Sequence, residues 1–260
     1  MAKNNKRSRD YNEEEAQIEQ WTQERENKKR EEINMNYSIN IKCKSKMQKE
    51  VIQSIDEKDI SIITGPPGSG KTYLSCAKAL KFIKDEPNKY KNIVLIKSVN
   101  GPKDENIGFM KGTMEEKMEM HVYPFISNFN KVAGNEVVNQ YVEDGTIYVL
   151  PIMFALGVSL DNSVIIIDEA QQISRDNLRT LITRIGSGSK MIFLGDVKQK
   201  SVNKHRKSAL EILMQYFQNI EEVGIIELTD ADVVRHPVIK KLLRVFKKID
   251  HDDAELEARF

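Results

Sequence analysis

The stretch Gly65-Pro66-Pro67-Gly68-Ser69-Gly70-Lys71-Thr72 fits the pattern G-x-x-x-x-G-K-[ST] of a phosphate-binding loop, the Walker A motif. Residues 60–64 before it are apolar and β-branched, and they predict a buried strand. Residues 73–83 after it carry apolar side chains at helical spacing and predict a helix. A turn that merely happens to hold glycines is the alternative, but chance produces this pattern in only about 1% of chains of this length. Strand, loop and helix together therefore favour nucleotide binding.

The residue types of this loop suit the phosphates of a nucleotide. Phosphate oxygens are held best by backbone N–H groups that converge from a loop and from the N-terminus of a helix. Lys71 can reach the β- and γ-phosphates, and the hydroxyl of Thr72 can bind Mg²⁺. The predicted nucleotide-binding residues of the loop are Gly65, Pro66, Pro67, Gly68, Ser69, Gly70, Lys71, Thr72 and Tyr73.

Composition narrows the class of protein. A formal net charge of +1 gives no electrostatic argument for nucleic acid, so any basic surface has to be local. Cys43 and Cys76 lie far apart and form no zinc-binding pattern, so we expect reduced thiols. The first residues lack the apolar run of a signal peptide, and the longest apolar runs are far shorter than a membrane span. We expect a soluble, cytoplasmic protein with no membrane association.

The pattern along the chain predicts one domain with a charged extension. We assign residues 1–40 to the extension, disordered or helical, residues 41–250 to the P-loop domain and residues 251–260 to a C-terminal tail. Strands alternate with helices, which predicts an α/β fold of the P-loop NTPase (RecA-like) type: a three-layer sandwich with a mostly parallel sheet. Further predicted strands cover residues 92–96, 146–150, 163–168, 190–194 and 224–228; further helices begin near residue 44 and cover residues 114–133 (interrupted at Pro124), 175–185, 208–217 and 237–249.

Polar motifs follow two of these strands, where ligands of parallel sheets bind. Asp168 and Glu169 end an apolar run as in a Walker B strand, so Asp168 is placed to hold Mg²⁺ and Glu169 to orient the attacking water. Gln199, in Gly195-Asp-Val-Lys-Gln199, could sense the γ-phosphate. Arg184 and Arg235 are either surface residues or arginine fingers. A solvated strand end and an ordinary Gly-Asp turn are the structural alternatives for the acids and the glutamine.

An ordered set of motifs between about residues 44 and 248 resembles the PhoH family, which in turn resembles the N-terminal motor half of superfamily 1 helicases. The resemblance implies ATP as the nucleotide, with Gln48 near the adenine and Arg235 completing the site. The matching motifs are Gly108-Phe-Met-Lys-Gly112 with Glu116-Lys117, Asp168-Glu-Ala-Gln171, Leu181-Ile-Thr-Arg-Ile-Gly186, Ser189-Lys-Met191, Gly195-Asp-x-x-Gln199 and Asp232-Val-Val-Arg-His-Pro237.

Two positions depart from the family pattern. Lys97 stands where the family has its basic residue after the second strand, and it keeps the charge without the planar fork of arginine. Residues 155–159 contain no arginine where the family carries one before Walker B. An RNA contact or an inter-subunit role at that segment is therefore not expected to carry over.

Three functions compete. An ATPase motor on RNA or another single-stranded nucleic acid is the first, and an ATPase coupled to a protein partner or to a stress or phosphate-starvation response is the second. Phe109 with Lys103 and Lys111 gives only a faint version of a single-strand site. The third, a nucleotide kinase, would need a lid and acceptor-binding arginines and leaves Gln199 unexplained. The resemblance also implies a homo-oligomeric ring, with six subunits as the usual number, in which Arg235, or else Arg184, could act on a neighbour.

Overall fold

The computed structural model describes residues 37–97, 114–152, 155, 158–199, 207–234, 238, 242 and 245. Within these ranges six strands alternate with helices, as the sequence predicted. The strands are β1 (Ile60–Thr64), β2 (Asn92–Lys97), β3 (Ile147–Val149), β4 (Ser163–Asp168), β5 (Lys190–Gly195) and β6 (Val223–Glu227). The helices are α1 (Lys46–Glu57), α2 (Lys71–Asp85), α3 (Met114–Ala133), α4 (Asn135–Glu143), α5 (Arg175–Ile182) and α6 (Ala209–Tyr216).

The strands form one sheet in the order β3-β2-β4-β5-β1-β6, and the neighbouring pairs run parallel. β5 lies between β1, which leads into the phosphate-binding loop, and β4, which ends at Asp168. The register pairs Thr64 with Gly195 and Lys97 with Asp168. The strands β1, β5, β2 and β4 therefore end close to one another at the same edge of the sheet. This strand order brings the predicted polar motifs together, because the carboxyl ends of parallel strands meet at one edge of the sheet.

Helices cover both faces of the sheet. Side chains alternate along each strand, so Val164 and Ile166 of β4 belong to one hydrophobic core, whereas Ile165 and Ile167 belong to the other. The first core packs the sheet against α1, α2, α3 and α4, and the second packs it against α5 and α6. The predicted α/β fold of the P-loop NTPase type, a three-layer sandwich around a mostly parallel sheet, is confirmed.

Some element boundaries differ from the sequence prediction. The predicted interruption at Pro124 is wrong, because α3 runs without a break from Met114 to Ala133. Phe125 and Phe129 follow the proline and are fully buried in the first core, which offsets the roughly 3 kcal/mol that an internal proline costs a helix. The predicted helix 175–185 ends at Ile182, and α4 was not predicted. Of the predicted helix 237–249, the described residues Val238, Leu242 and Val245 are helical.

The chain packs onto the first core from Tyr37 onward. The ring of Tyr37 meets that of Tyr141 edge to face, with the two hydroxyls 3.1 Å apart, and the ammonium of Lys84 lies 4.5 Å from its centre. Burial, followed by the hydrogen bond to Tyr141, raises the pKa of Tyr37 well above its usual range. Ile39 and Ile41 also pack against this core, so the packed domain includes residues 37–40. Among the described residues, no helix has both the length and the apolar character needed to cross a membrane.

Candidate nucleotide-binding and hydrolysis site

The phosphate-binding loop joins β1 to α2 and leaves the N-terminus of α2 open to a ligand. Gly70 is the N-cap of α2, in a left-handed conformation with φ of 96°, and it offers no side chain to the first N–H groups of the helix. A side chain at this position would also come within 3.2 Å of Nε2 of Gln48. The N–H groups of this first turn and the positive end of the helix dipole favour an anion here.

Lys71 folds back over the loop in this structure. Its Nζ donates to the carbonyl oxygens of Gly65 and Pro66, at 2.5 and 3.1 Å. These carbonyl oxygens stand in for the phosphate oxygens that a Walker A lysine binds. The ammonium is therefore already held over the loop, on acceptors that it could exchange for phosphate.

Gln48 ties the first turn of α1 to the same loop. Its Nε2 donates to the carbonyl of Ser69 at 2.9 Å, and its Oε1 accepts from the N–H of Lys44 at 2.7 Å. The side chain is buried at the wall of the cavity. The loop is thus supported from behind by an amide that also faces the ligand space.

The Walker B acids follow β4 in an unusual backbone conformation. Glu169 has φ of 55°, in the left-handed region that costs a non-glycine residue roughly 1 kcal/mol, and its N–H donates to Oδ1 of Asp168 at 3.0 Å. A short 3-10 turn, Ala170–Gln172, begins directly after it. Strain of this kind is typical of functional sites because the surrounding structure has to maintain it.

The turn after β5 faces these acids. Asp196 is buried, its Oδ1 accepts from the N–H of Lys198 at 3.0 Å, and its carbonyl accepts from the N–H of Gln199 at 3.1 Å. The carbonyl of Gly195 accepts from the N–H of Gly65 at 3.2 Å. The turn that carries Gln199 is therefore joined directly to the start of the phosphate-binding loop.

Gln171 connects the Walker B acids with this turn. Its Nε2 donates to Oε2 of Glu169 at 2.5 Å, and its Oε1 accepts from the N–H of Asp196 at 3.2 Å. The side chain is only 1% exposed, so both hydrogen bonds are shielded from water.

The segment after β6 closes the other side of the loop. The N–H of Val234 donates to the carbonyl of Gly68 at 2.9 Å. Oδ2 of Asp232 accepts from the N–H and the hydroxyl of Thr229, at 2.8 and 3.0 Å. Burial alone would raise the pKa of Asp232, but hydrogen bonds from Ser45 and Thr229 outweigh it and lower the pKa. Since Ser45 also caps α1, Asp232 links that helix to the segment that leads to residue 235.

These elements surround one cavity of about 850 Å³ at the carboxyl edge of the sheet. Four lysines line it, which suits the negative charge of a polyphosphate: Lys42, Lys44, Lys71 and Lys131. The predicted site residues that line it are Gln48, Pro67, Gly68, Gly70, Lys71, Thr72, Tyr73, Asp168, Glu169 and Gln199. The volume lies within the range of small-molecule sites.

The oxygen donors of this cavity suit Mg²⁺ that is bound partly by phosphate and water. They do not suit a metal ion whose ligands all come from the protein. Within the described ranges, no group of three or more His, Cys, Asp or Glu side chains is placed to hold a metal ion. Thr72 and Asp168 line the same cavity and supply a hydroxyl and a carboxylate. Mg²⁺ is usually bound in this way, with one or two protein oxygens completed by phosphate and water.

Ser69 and Arg184 are not among the residues that line the cavity. Ser69 is fully buried behind the loop, with its hydroxyl donating to the carbonyl of Pro66 at 2.8 Å. Arg184 lies at the opposite edge of the sheet, because its carbonyl accepts from the N–H of Leu160, ahead of the first residue of β4. The structure therefore does not bring Arg184 to the cavity of its own chain. Arg235, Phe109, Lys103 and Lys111 lie outside the described residues.

Several residues of the site were not assigned a role from sequence. Gln171 and Asp196 belong to motifs that give them no separate role, and no sequence pattern points to the cavity residues Lys42, Lys44, Asn128 and Lys131. The spacing between Gln171 and Asp196 does not predict their contact, since they are 25 positions apart along the chain. Neighbouring parallel strands that both end in polar turns were the available signal.

The parallel sheet and the cavity at its carboxyl edge place this chain in the P-loop class of nucleotide-binding ATPase folds. Within that class the chain belongs to the PhoH family, because the family model described as PhoH-like protein matches residues 40–247. The resemblance seen in the sequence motifs is confirmed.

Curated relatives carry the same description. The chain is 33% identical over 208 residues to a PhoH-like protein of Bacillus subtilis, a match that covers 80% of this chain and 64% of that protein. It is 26% identical over 208 residues to Protein PhoH of Escherichia coli K12, covering 79% of this chain and 58% of that protein. The chain thus spans somewhat less than two thirds of the length of these relatives.

Two solved structures that match part of the chain are a terminase and a helicase. The large terminase of a thermophilic bacteriophage matches with a TM-score of 0.48 and 12% identity, covering 77% of this chain and 49% of that chain. The Pif1 helicase of Candida albicans matches with a TM-score of 0.38 and 17% identity, covering 73% of this chain and 41% of that chain.

Proposed function

We propose that this protein binds ATP with Mg²⁺, hydrolyses it, and couples hydrolysis to movement on RNA or another single-stranded nucleic acid. The observation that carries the hydrolytic part is the convergence of Lys71, Thr72, Asp168, Glu169 and Gln199 on one cavity at the edge of the sheet. A phosphate-binding loop alone would suit transferases as well. A second acid beside the metal-binding aspartate favours hydrolysis, because it can orient and deprotonate water.

Each residue has a separate role in this proposal. Lys71 would exchange the carbonyl oxygens of Gly65 and Pro66 for phosphate oxygens, and the N-terminus of α2 would hold the remaining phosphate charge. Thr72 and Asp168 would hold Mg²⁺, which neutralises charge on the phosphates. Glu169 would orient the attacking water, and Gln199 would respond to the γ-phosphate.

The nucleic-acid part of the proposal is supported by the resemblance of the PhoH family to the N-terminal motor half of superfamily 1 helicases. A protein partner is the alternative, because single-strand binding generally uses a positively charged groove and the formal net charge of +1 gives no electrostatic argument for one. The two functions differ in what stimulates the ATPase.

The deciding experiment measures ATP hydrolysis with Mg²⁺, alone and with single-stranded RNA, single-stranded DNA or duplex of the same length. We expect basal hydrolysis and a several-fold stimulation by one of the single strands, weakened by added salt as phosphate contacts require. Basal hydrolysis without any stimulation would favour the protein-partner alternative. Absence of hydrolysis under all these conditions would refute the enzymatic proposal.

A further inference from the structure

We propose that Gln171 is the positioning residue that couples the turn carrying Gln199 to the carboxylate of Glu169. Through it, a change at the γ-phosphate end of the site would orient the water-activating acid. The inference rests on the proposed hydrolysis of ATP and adds to it a residue through which nucleotide sensing reaches the acid.

The orientation of the Gln171 amide follows from its two partners. The backbone N–H of Asp196 can only donate, so it faces the amide oxygen, at 3.2 Å. The carboxylate oxygen Oε2 of Glu169 accepts from the amide nitrogen, at 2.5 Å. One planar amide therefore fixes the carboxylate relative to the end of β5.

Burial makes this connection stiff. Gln171 is 1% exposed, so no bulk water competes for either of its hydrogen bonds. Gly195 closes the remaining space: a side chain there would collide with Oε1 of Gln171 and would lie 2.8 Å from Cδ2 of Leu210. Only a glycine at the end of β5 lets the amide sit this close to the sheet.

The Asp196 end of the connection moves with the nucleotide-sensing turn. The carbonyl of Asp196 accepts from the N–H of Gln199, and the preceding residue, Gly195, is hydrogen-bonded to Gly65 of the phosphate-binding loop. A displacement of this turn by the γ-phosphate would therefore shift the N–H of Asp196, and with it the Gln171 amide. The carboxylate of Glu169 would follow, because it accepts a hydrogen bond directly from that amide.

The first test compares two substitutions of Gln171 with a matched surface control. Gln171→Met removes both hydrogen bonds at similar volume, and Gln171→Glu keeps the acceptor for Asp196 but places a carboxylate against Glu169. We expect kcat to fall about 10- to 100-fold in both, the usual scale for a misplaced reacting group, with the Kd of a fluorescent ATP analogue within about twofold of wild type. Gln53→Met is the control, because Gln53 makes the same amide–carboxylate hydrogen bond, to Glu57 at 2.8 Å, on the exposed face of α1.

A double-mutant cycle separates positioning from a general structural role. If Gln171 acts through Glu169, adding Gln171→Met to Glu169→Gln should lower kcat by less than about twofold, since residues acting as one unit are not additive. Wild-type kcat in Gln171→Met, or a loss that multiplies in full in the Glu169→Gln background, would overturn the proposal.

Hydrogen exchange tests the coupling without relying on turnover. In the wild type, the non-hydrolysable analogue AMP-PNP with Mg²⁺ should increase protection both at residues 195–199 and at residues 169–173. In Gln171→Met, only residues 195–199 should respond. Equal protection of residues 169–173 in both proteins would overturn the coupling, even if hydrolysis itself failed to appear in the wild type.

Discussion

The side-chain amide of Gln48 donates to the carbonyl oxygen of Ser69 across 2.9 Å, so the first turn of α1 holds the phosphate-binding loop from behind. The family resemblance implies that Gln48 lies near the adenine. Its buried position adds a second role, as a support of a loop that binds the phosphates of every nucleotide.

Gln48→Ala should therefore weaken the binding of ATP and the binding of GTP to the same extent. Loss of one buried hydrogen bond costs about 1 kcal/mol, which corresponds to roughly fivefold in Kd if the loop loses that much preorganisation. The measurement is a titration with fluorescent analogues of both nucleotides, with Gln53→Ala on the outer face of α1 as control. A loss confined to ATP would instead assign Gln48 to base recognition alone.

Substitutions of Lys71 and Glu169 should affect nucleotide binding and ATP hydrolysis separately. Lys71→Ala removes the ammonium held over the loop and should lose nucleotide affinity. Glu169→Gln should bind ATP and turn it over at least about a hundredfold more slowly, the scale of positioned acid–base work. Lys91→Ala and Glu143→Gln, both at exposed positions outside the cavity, are the controls. Wild-type turnover in Glu169→Gln would show that another group activates the water.

The sequence predicted the part of the site whose chemistry is local. The glycines, Lys71 and Thr72 of the loop are contiguous, so one motif predicts both the strand–loop–helix context and the ligand. Gln171 and Asp196 could not be paired in this way, because their hydrogen bond depends on β4 and β5 lying side by side. Strand order is set by packing of the whole sheet, and the pattern along one chain does not reveal it.

The helix through Pro124 shows a case in which a local sequence rule predicts the wrong structure. Proline lacks an N–H and clashes with the preceding turn, so local rules predict a break. Burial of Phe125 and Phe129 in the first core outweighs that cost, and this burial depends on the helices and strands packed around them. The local rule gave the wrong prediction here because the free energy gained by tertiary packing exceeds the local cost of the proline.

Asp232 should contribute stability that depends on pH. Its pKa is lowered in the folded state, so the contribution is present above the ordinary value of 3.8 and is lost as the pH falls through the folded pKa. Asp232→Ala should cost about 1 kcal/mol at pH 7, the usual effect of a lost cap, and the difference should shrink below about pH 3.8. Urea unfolding at pH 7, 5 and 3 measures it, with the exposed Asp230→Ala as control. A difference that stays constant down to pH 3 would contradict the role of the charge.

Residues 37–41 should belong to the folding unit, whereas the charged arm before them should be dispensable. The arm has too little apolar surface to offset its ordering entropy. A chain that begins at Tyr37 should melt within a few degrees of the full chain. One that begins at Lys42 loses the packing of Tyr37, Ile39 and Ile41, worth about 2 kcal/mol, and should melt roughly 4–8 °C lower. A large loss on removing residues 1–36 alone would show that the arm docks on the core.

We expect identical chains to assemble into a ring. A site that acts as a motor needs a second unit that moves relative to the first, and a neighbouring copy of the chain can supply it. Head-to-tail contacts between identical chains close into a ring when the rotation permits, and we predict a hexamer in which Arg235 reaches the γ-phosphate of a neighbouring subunit. Arg184 is the second candidate, since its position at the far edge of the sheet allows a contribution only to another chain.

Mixing two inactive variants tests this arrangement. Arg235→Ala should lower kcat by about 10³-fold while leaving ATP binding largely intact, and Lys71→Ala should abolish binding. In a mixed ring, an intact loop of one subunit meets an intact arginine of its neighbour, so activity absent from either variant should return. Arg184→Ala in place of Arg235→Ala repeats the test for the second candidate. Sedimentation as a monomer with ATP and Mg²⁺, or no recovery from a verified mixed ring with either arginine, would refute catalysis in trans.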